Sequence, residues 1–208
     1  MTPTDSLYVA DRSAWRAWLT EHHAQRKNVW LRFYKVGSPT PSVRYDEAVD
    51  EALCFGWIDS TIRKGDDGDY SIRFFSRRNP ASNWSRVNKA KVERLTAAGL
   101  MTAAGQALVD LARKTGTWTA LDDVEAGVCP PDLQAAFNAE PVAKACFDAF
   151  PRSARRALLE WLLNARTEGT RQRRIAEIVG AAARNERANQ YRPKTDTGLR
   201  AGPAGSDA

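Results

Sequence analysis

The chain has 208 residues, 43% of them hydrophobic, and a formal charge of +6; that apolar content can fill a real core and excludes an unfolded polar chain, leaving one medium domain or a domain with a small companion. No apolar run approaches the roughly 18–20 residues that cross a bilayer, which excludes a membrane-inserted protein. Cys54, Cys129 and Cys146 are odd in number and lack C-x-x-C spacing, which argues against a disulfide framework or a zinc knuckle.

The opening MTPTDSLYVADRSAW lacks a basic segment followed by an apolar one, so a cytoplasmic protein is expected. In RSAWRAWLTEHH, Trp15, Trp18, Leu19 and His22 recur at i, i+3, i+4 and i+7 behind Asp11, which predicts an amphipathic helix over 12–23 with Asp11 as its N-cap. VWLRFYKV predicts a core-facing strand, broken by Gly37-Ser38-Pro39. The acids of Tyr45-Asp46-Glu47 suit the positive end of a helix that runs through Val49, Ala52 and Leu53 to a stop at Gly56. WIDSTIR and YSIRFF flank GDDGD and predict a hairpin. From there the period turns helical: SNWSRVNKAKVERLTAAG is read as one helix with Ser82 or Asn83 as its N-cap, and Thr102–Gly116 as another.

Residues 117–131, with Pro130-Pro131, read as an irregular connection. Three helices follow, DLQAAFNAE, the stretch around Val142–Phe150, and SARRALLEWLLNA, then a last one from near Thr170 that aligns Ile175, Ile178, Val179 and Ala182. The predicted fold is therefore α+β: a small, mostly antiparallel sheet packed by helices over 1–116, a connection over 117–130, a helical C-terminal module over 131–190, and a disordered tail over 191–208.

Charge is unevenly spread. Residues 151–194 carry eleven Arg or Lys and four Glu, so +7, leaving the remainder near −1. Such a patch attracts nucleic acid through Arg171, Arg173 and Arg174 or is simply a solvated helix face, and i,i+4 pairs such as Arg173–Glu177 favour the second.

The residues 51–64, EALCFGWIDSTIRK, place Trp57, Asp59 and Ser60 where a helix gives way to a strand. A carboxylate leaving so apolar a run must be paired, hydrogen-bonded or shifted in pKa. Asp59 is therefore either an ion-pair partner for an arginine of the return strand or a general acid or base. Arg63 is the nearest basic residue on its own strand. A second group, Asn83, Trp84, Arg86 and Asn88, opens the next helix, where free N–H groups and a cation suit an anion. Together, Trp57, Asp59, Ser60, Arg63, Asn83, Trp84, Arg86 and Asn88 define a candidate aromatic and polar pocket for a small or peptidic ligand. No metal or cofactor is expected. His22 and His23 are adjacent and diverge on a helix, GDDGDY lacks calcium-loop spacing, and glycine-rich nucleotide fingerprints are missing. Cys54 sits in a buried helix, where a thiol is inert.

Four words, VWLRFYKVGS, SVRYDEAVDEALCFGWIDS, RFFSRRNPASNWSRVNKAKVERL and the arginine-rich stretch from PPDLQAAF to TRQRRIAEIV, resemble the YdeI/OmpD-associated, or bacteriocin-protection, family over roughly residues 10–187. The last word departs at ARTEGTR, where a Lys-Arg-Pro-Glu-Thr-Arg-like run is usual. The resemblance implies a stress-resistance protein linked with survival under antimicrobial peptides and bacteriocins, with no settled reaction. Beside it stand an enzyme using Asp59 and a nucleic-acid-binding protein using the C-terminal arginines.

Overall fold

In the computed structural model, residues 6–66 and 68–189 are described, so the tail expected over 191–208 lies outside the described residues, as does Asp67 in the GDDGDY turn. The chain divides into two compact units, Met1–Ala126 and Gly127–Ala208.

The first unit runs α1 (Arg12–His22), β1 (Asn28–Tyr34), α2 (Tyr45–Cys54), β2 (Trp57–Lys64), β3 (Tyr70–Arg77), α3 (Arg86–Ala97), α4 (Ala103–Thr115) and α5 (Asp122–Ala126). Its three strands form an antiparallel sheet in the order β1-β3-β2. Asp11 caps α1 by accepting from the Ala14 N–H at 2.8 Å. Trp15 and Leu19 are fully buried on the inner face of α1, and the Trp15 ring meets Phe75 of β3 edge-on at 5.5 Å. Full burial of such side chains contributes about 2–3 kcal/mol each. In β3 the buried residues are Ile72 and Phe75. Their odd spacing puts them on opposite faces of the sheet, so this strand does not show the simple alternation of a one-sided sheet.

Two consecutive acids of α2 hold its neighbours. Asp50 and Glu51 are 5% and 1% exposed, and successive helical residues point about 100° apart. Asp50 therefore reaches Lys91 and Arg94 of α3 at 2.9 and 2.6 Å, while Glu51 accepts from Arg12 and Arg16 of α1 at 2.6 and 2.5 Å. One helix is thus ion-paired on two sides.

The predicted start of α3 needs correction. Ser85, not Ser82 or Asn83, is its N-cap, and the Ser85 hydroxyl accepts from the Asn88 N–H. Ahead of the cap, the Trp84 N–H donates to the Thr117 carbonyl at 3.1 Å and the Asn83 carbonyl, which would accept the first helical bond if Asn83 were the cap, accepts from Arg78 at 2.6 Å. At its other end α3 gives way to Gly99, and α4 begins behind Thr102, whose hydroxyl donates to the Cys54 carbonyl at 2.6 Å. A methyl group on Gly105 would collide with the Cys54 carbonyl and lie 2.8 Å from that of Leu53; only glycine lets α4 approach α2 so closely.

The second unit comprises α6 (Pro131–Ala139), α7 (Pro141–Ala149), α8 (Arg152–Leu163) and α9 (Glu168–Ala183). Pro131 and Pro141 open their helices, where the missing N–H costs nothing. α9 packs against α6, α7 and α8, burying Ile175, Ile178, Val179 and Ala182, while Phe137 and Phe147 meet at 4.9 Å. Two of its arginines are engaged: Arg171 pairs with Asp132 at 2.5 Å, and Arg174 lies over the Trp161 ring at 4.9 Å while donating to the Trp161 carbonyl. Among the described residues no helix is long and apolar enough to cross a membrane.

Candidate functional site

The corner between α2 and β2 is set by Gly56. Its φ of +74° is a left-handed helix stop that side chains resist. A Cβ there would also stand 2.8 Å from the Leu108 side chain and 3.3 Å from the Ala104 carbonyl. The glycine thus turns the chain and lets α4 close over the turn. Beside it opens a cavity of about 500 Å³, walled by Phe55, Trp57, Ala104 and Leu108, with His23, Arg77 and Arg78 also lining it.

The cavity side chains are locally fixed. The Trp57 indole N–H donates to the His23 carbonyl at 3.3 Å, and its ring meets Trp18 edge-on at 6.0 Å. The His23 ring lies 5.1 Å from Phe55, and its Nδ1 is 2.8 Å from the Leu19 carbonyl, an acceptor, so Nδ1 carries a proton.

The two arginines ending the β3 segment have opposite surroundings. Arg77 donates from Nε to the His23 and Arg26 carbonyls at 3.2 and 3.0 Å, and from Nη2 to Ala24. These carbonyls follow the C-terminus of α1, the negative end of its dipole, so this cation is matched. Arg78 is 6% exposed. Its guanidinium lies 3.9 Å from the Trp84 ring centroid and donates from Nη2 to the Asn83 carbonyl at 2.6 Å. Its Nε is buried without a hydrogen-bond partner, and no carboxylate of the described residues pairs with it. Burial with no opposing charge pushes its pKa down to about 10.

Of the residues predicted as a pocket, Trp57 walls the cavity, and Asn83 and Trp84 hold Arg78 at its edge. The others lie elsewhere. Asp59 accepts from the Tyr45 hydroxyl at 2.9 Å and from Arg73 of the return strand at 3.4 Å, and Arg73 stacks on the Tyr45 ring at 3.9 Å. Burial first, then the hydrogen bond to Asp59, holds the Tyr45 phenol above its usual range. Ser60 is exposed at the β2 irregularity between Asp59 and Ile62. Arg63 pairs in register with Ile72, on the face opposite Asp59 and Phe75, and covers Trp30 at 4.8 Å. Arg86 lies with Lys91 and Arg94 along a shallow depression of α3, and Asn88 belongs to the cap of that helix. Burial raises the Cys54 thiol, as befits an inert core residue.

Arg78, Phe55, Ala104 and Leu108 are absent from the sequence-based pocket. Phe55 and Arg78 carried a usable signal, since both adjoin named positions: one precedes the glycine stop, the other lies in RRNP. Leu108 and Ala104 carried none, because only the α4–α2 packing brings them to the corner.

Residues 127–185 match the family model described as Bacteriocin-protection, YdeI or OmpD-Associated. The likeness to this family is confined to the C-terminal unit. Residues 7–108 match a separate model, a domain of unknown function (DUF8412). The bacteriocin-protection match thus rests on the stretch from PPDLQAAF to TRQRRIAEIV, whereas the words around the α2–β2 corner fall in the second model. No curated protein and no solved structure matches the chain.

Proposed function

We propose that the chain is a cytoplasmic protection protein of the bacteriocin-protection type whose N-terminal unit acts by holding a small ligand in the cavity at the α2–β2 corner. The observation that carries this reading is the cavity itself. Its size lies within the usual span of small-molecule sites, about 300–1,000 Å³, and it joins aromatic walls, Phe55 and Trp57, to a buried cation, Arg78. Apolar walls with one well-placed charge are the composition such sites need.

Asp59 supports an enzyme less well, because its carboxylate is already engaged by Tyr45 and Arg73 and it does not line the cavity. The commitment of Arg171 to Asp132 and of Arg174 to Trp161 likewise weakens a nucleic-acid reading of α9.

The test is native mass spectrometry of the full chain after exposure to a bacterial extract, compared with the same sample denatured. A small mass retained only by the folded protein, and lost in Leu108→Trp, which fills the cavity, is the expected result. Retention that survives Leu108→Trp would remove the cavity from the reading.

A further inference from the structure

We propose that the ligand of this cavity is a monocarboxylate with an apolar, ring-sized body, its carboxylate serving as the counter-ion that Arg78 lacks. This rests on the cavity being the binding site, as argued above, and adds the chemical class of what it binds.

The head group follows from charge. Removing a cation from water is unfavourable by several kcal/mol unless an anion or hydrogen bonds replace the water. Arg78 has one carbonyl acceptor, one aromatic face and an orphaned Nε. The cavity lining contains no Asp or Glu, so no side chain there opposes an incoming anion. Ala104 lies in the first turn of α4, and the positive end of that helix adds to the same sign. A single charge is the better match because Arg77, the other arginine of the lining, is already engaged by three carbonyls. A phosphate dianion would have only one unmatched guanidinium to meet it.

The body follows from shape and polarity. A volume of about 500 Å³ is room for roughly seventeen waters at about 30 Å³ each, far more than a carboxylate fills. Its accessible apolar lining, Ala104 and Leu108 backed by the nearly buried Phe55 and Trp57, offers no side-chain hydrogen bonds, so a bare ion would leave it wetted. An aromatic or branched body covers that lining and excludes water from the ion pair, which strengthens it.

The probes are phenylacetate and 3-phenylpropionate, with their primary amides as neutral isosteres and inorganic phosphate as a head group without a body. Each is titrated into the full chain at fixed ionic strength, by calorimetry and by tryptophan fluorescence, since Trp57 and Trp84 flank the site. At least one carboxylate saturates in the micromolar to low millimolar range. Its amide and phosphate each bind at least about tenfold more weakly, and Arg78→Met weakens the carboxylate by a similar factor. An amide as tight as its acid overturns the carboxylate assignment while leaving the cavity as a ligand site. Phosphate as tight as the acid overturns the requirement for a body. If neither acids nor amides bind, and the extract yields no retained mass, the cavity reading falls as well. The acid-to-amide comparison needs no substitution, so it decides the matter even where Arg78→Met fails to fold.

Discussion

Two buried charged regions lie within the N-terminal unit, and they are built on opposite plans. On α2, Asp50 and Glu51 each meet two cations, drawn from α3 and α1 respectively. At the end of the β3 segment, Arg78 is as deeply buried and meets no acid among the described residues. The first region turns buried charge into helix registration. The second leaves it open, and an unmatched buried charge is a structural liability unless something outside the chain completes it. The contrast separates a charge matched within the chain from a charge left unmatched by it.

The largest effect should come from moving the cavity wall without touching either charge. Gly105→Ala forces α4 away from the Cys54 and Leu53 carbonyls and should lower stability by about 3 kcal/mol, read as a fall in the urea midpoint. Glu51→Gln comes next. Arg12 and Arg16 are about a third exposed, at 36% and 35%, and water partly replaces the lost carboxylate, so the loss should be about 2 kcal/mol rather than the 3–5 of a fully buried broken pair. Arg78→Met should change stability by no more than about 1 kcal/mol, because methionine keeps the packing on Trp84 and removes the desolvated charge. A loss from Arg78→Met as large as that from Glu51→Gln would erase the distinction between the two regions.

Acid sharpens the comparison further. Burial acts to raise the Asp50 pKa, but hydrogen bonds from Arg94 and Lys91 outweigh it and hold it below the ordinary carboxylate value. In the C-terminal unit the Arg171 guanidinium does the same for Asp132. A carboxylate lowered on folding contributes stability that is fully present above its unfolded pKa, about 3.9, and is lost as pH falls through the folded value. Stability should therefore decline below about pH 4, and Asp50→Asn and Asp132→Asn should each flatten that decline in denaturation curves taken across the acid range. Arg78→Met should leave it unchanged. The smallest effect is expected from Asp59→Asn, about 0.5 kcal/mol in thermal unfolding, since the Tyr45 hydrogen bond survives and the pair with Arg73 is partly exposed.

What could be read from the residues was what depends on near neighbours. Asp11 and the spacing of Trp15 and Leu19 set α1, and Gly56 ended α2 through its own backbone freedom. The hairpin across GDDGD put Asp59 in reach of Arg73. What escaped depends on partners far along the chain. SNWS offers several capping residues within four positions, and the segment ahead of Ser85 is tied to partners outside it, Trp84 to Thr117 and Asn83 to Arg78. The cavity needed Leu108, whose helical period gives an inward face but not what that face meets. Nothing in the sequence singles out Arg78 from the adjacent Arg77, because its isolation from carboxylates is a property of three-dimensional placement.

The indole pairs of α1 have an optical consequence. Trp15 and Trp18 stack at 5.2 Å with planes 13° apart, and Trp18 in turn meets Trp57 at 6.0 Å. Rings this close share their electronic excitation, so the three form one coupled chromophore running from α1 to the cavity wall. A ligand that tilts Trp57 changes the exciton couplet of the whole set, giving the protein an unlabelled circular-dichroism reporter of occupancy.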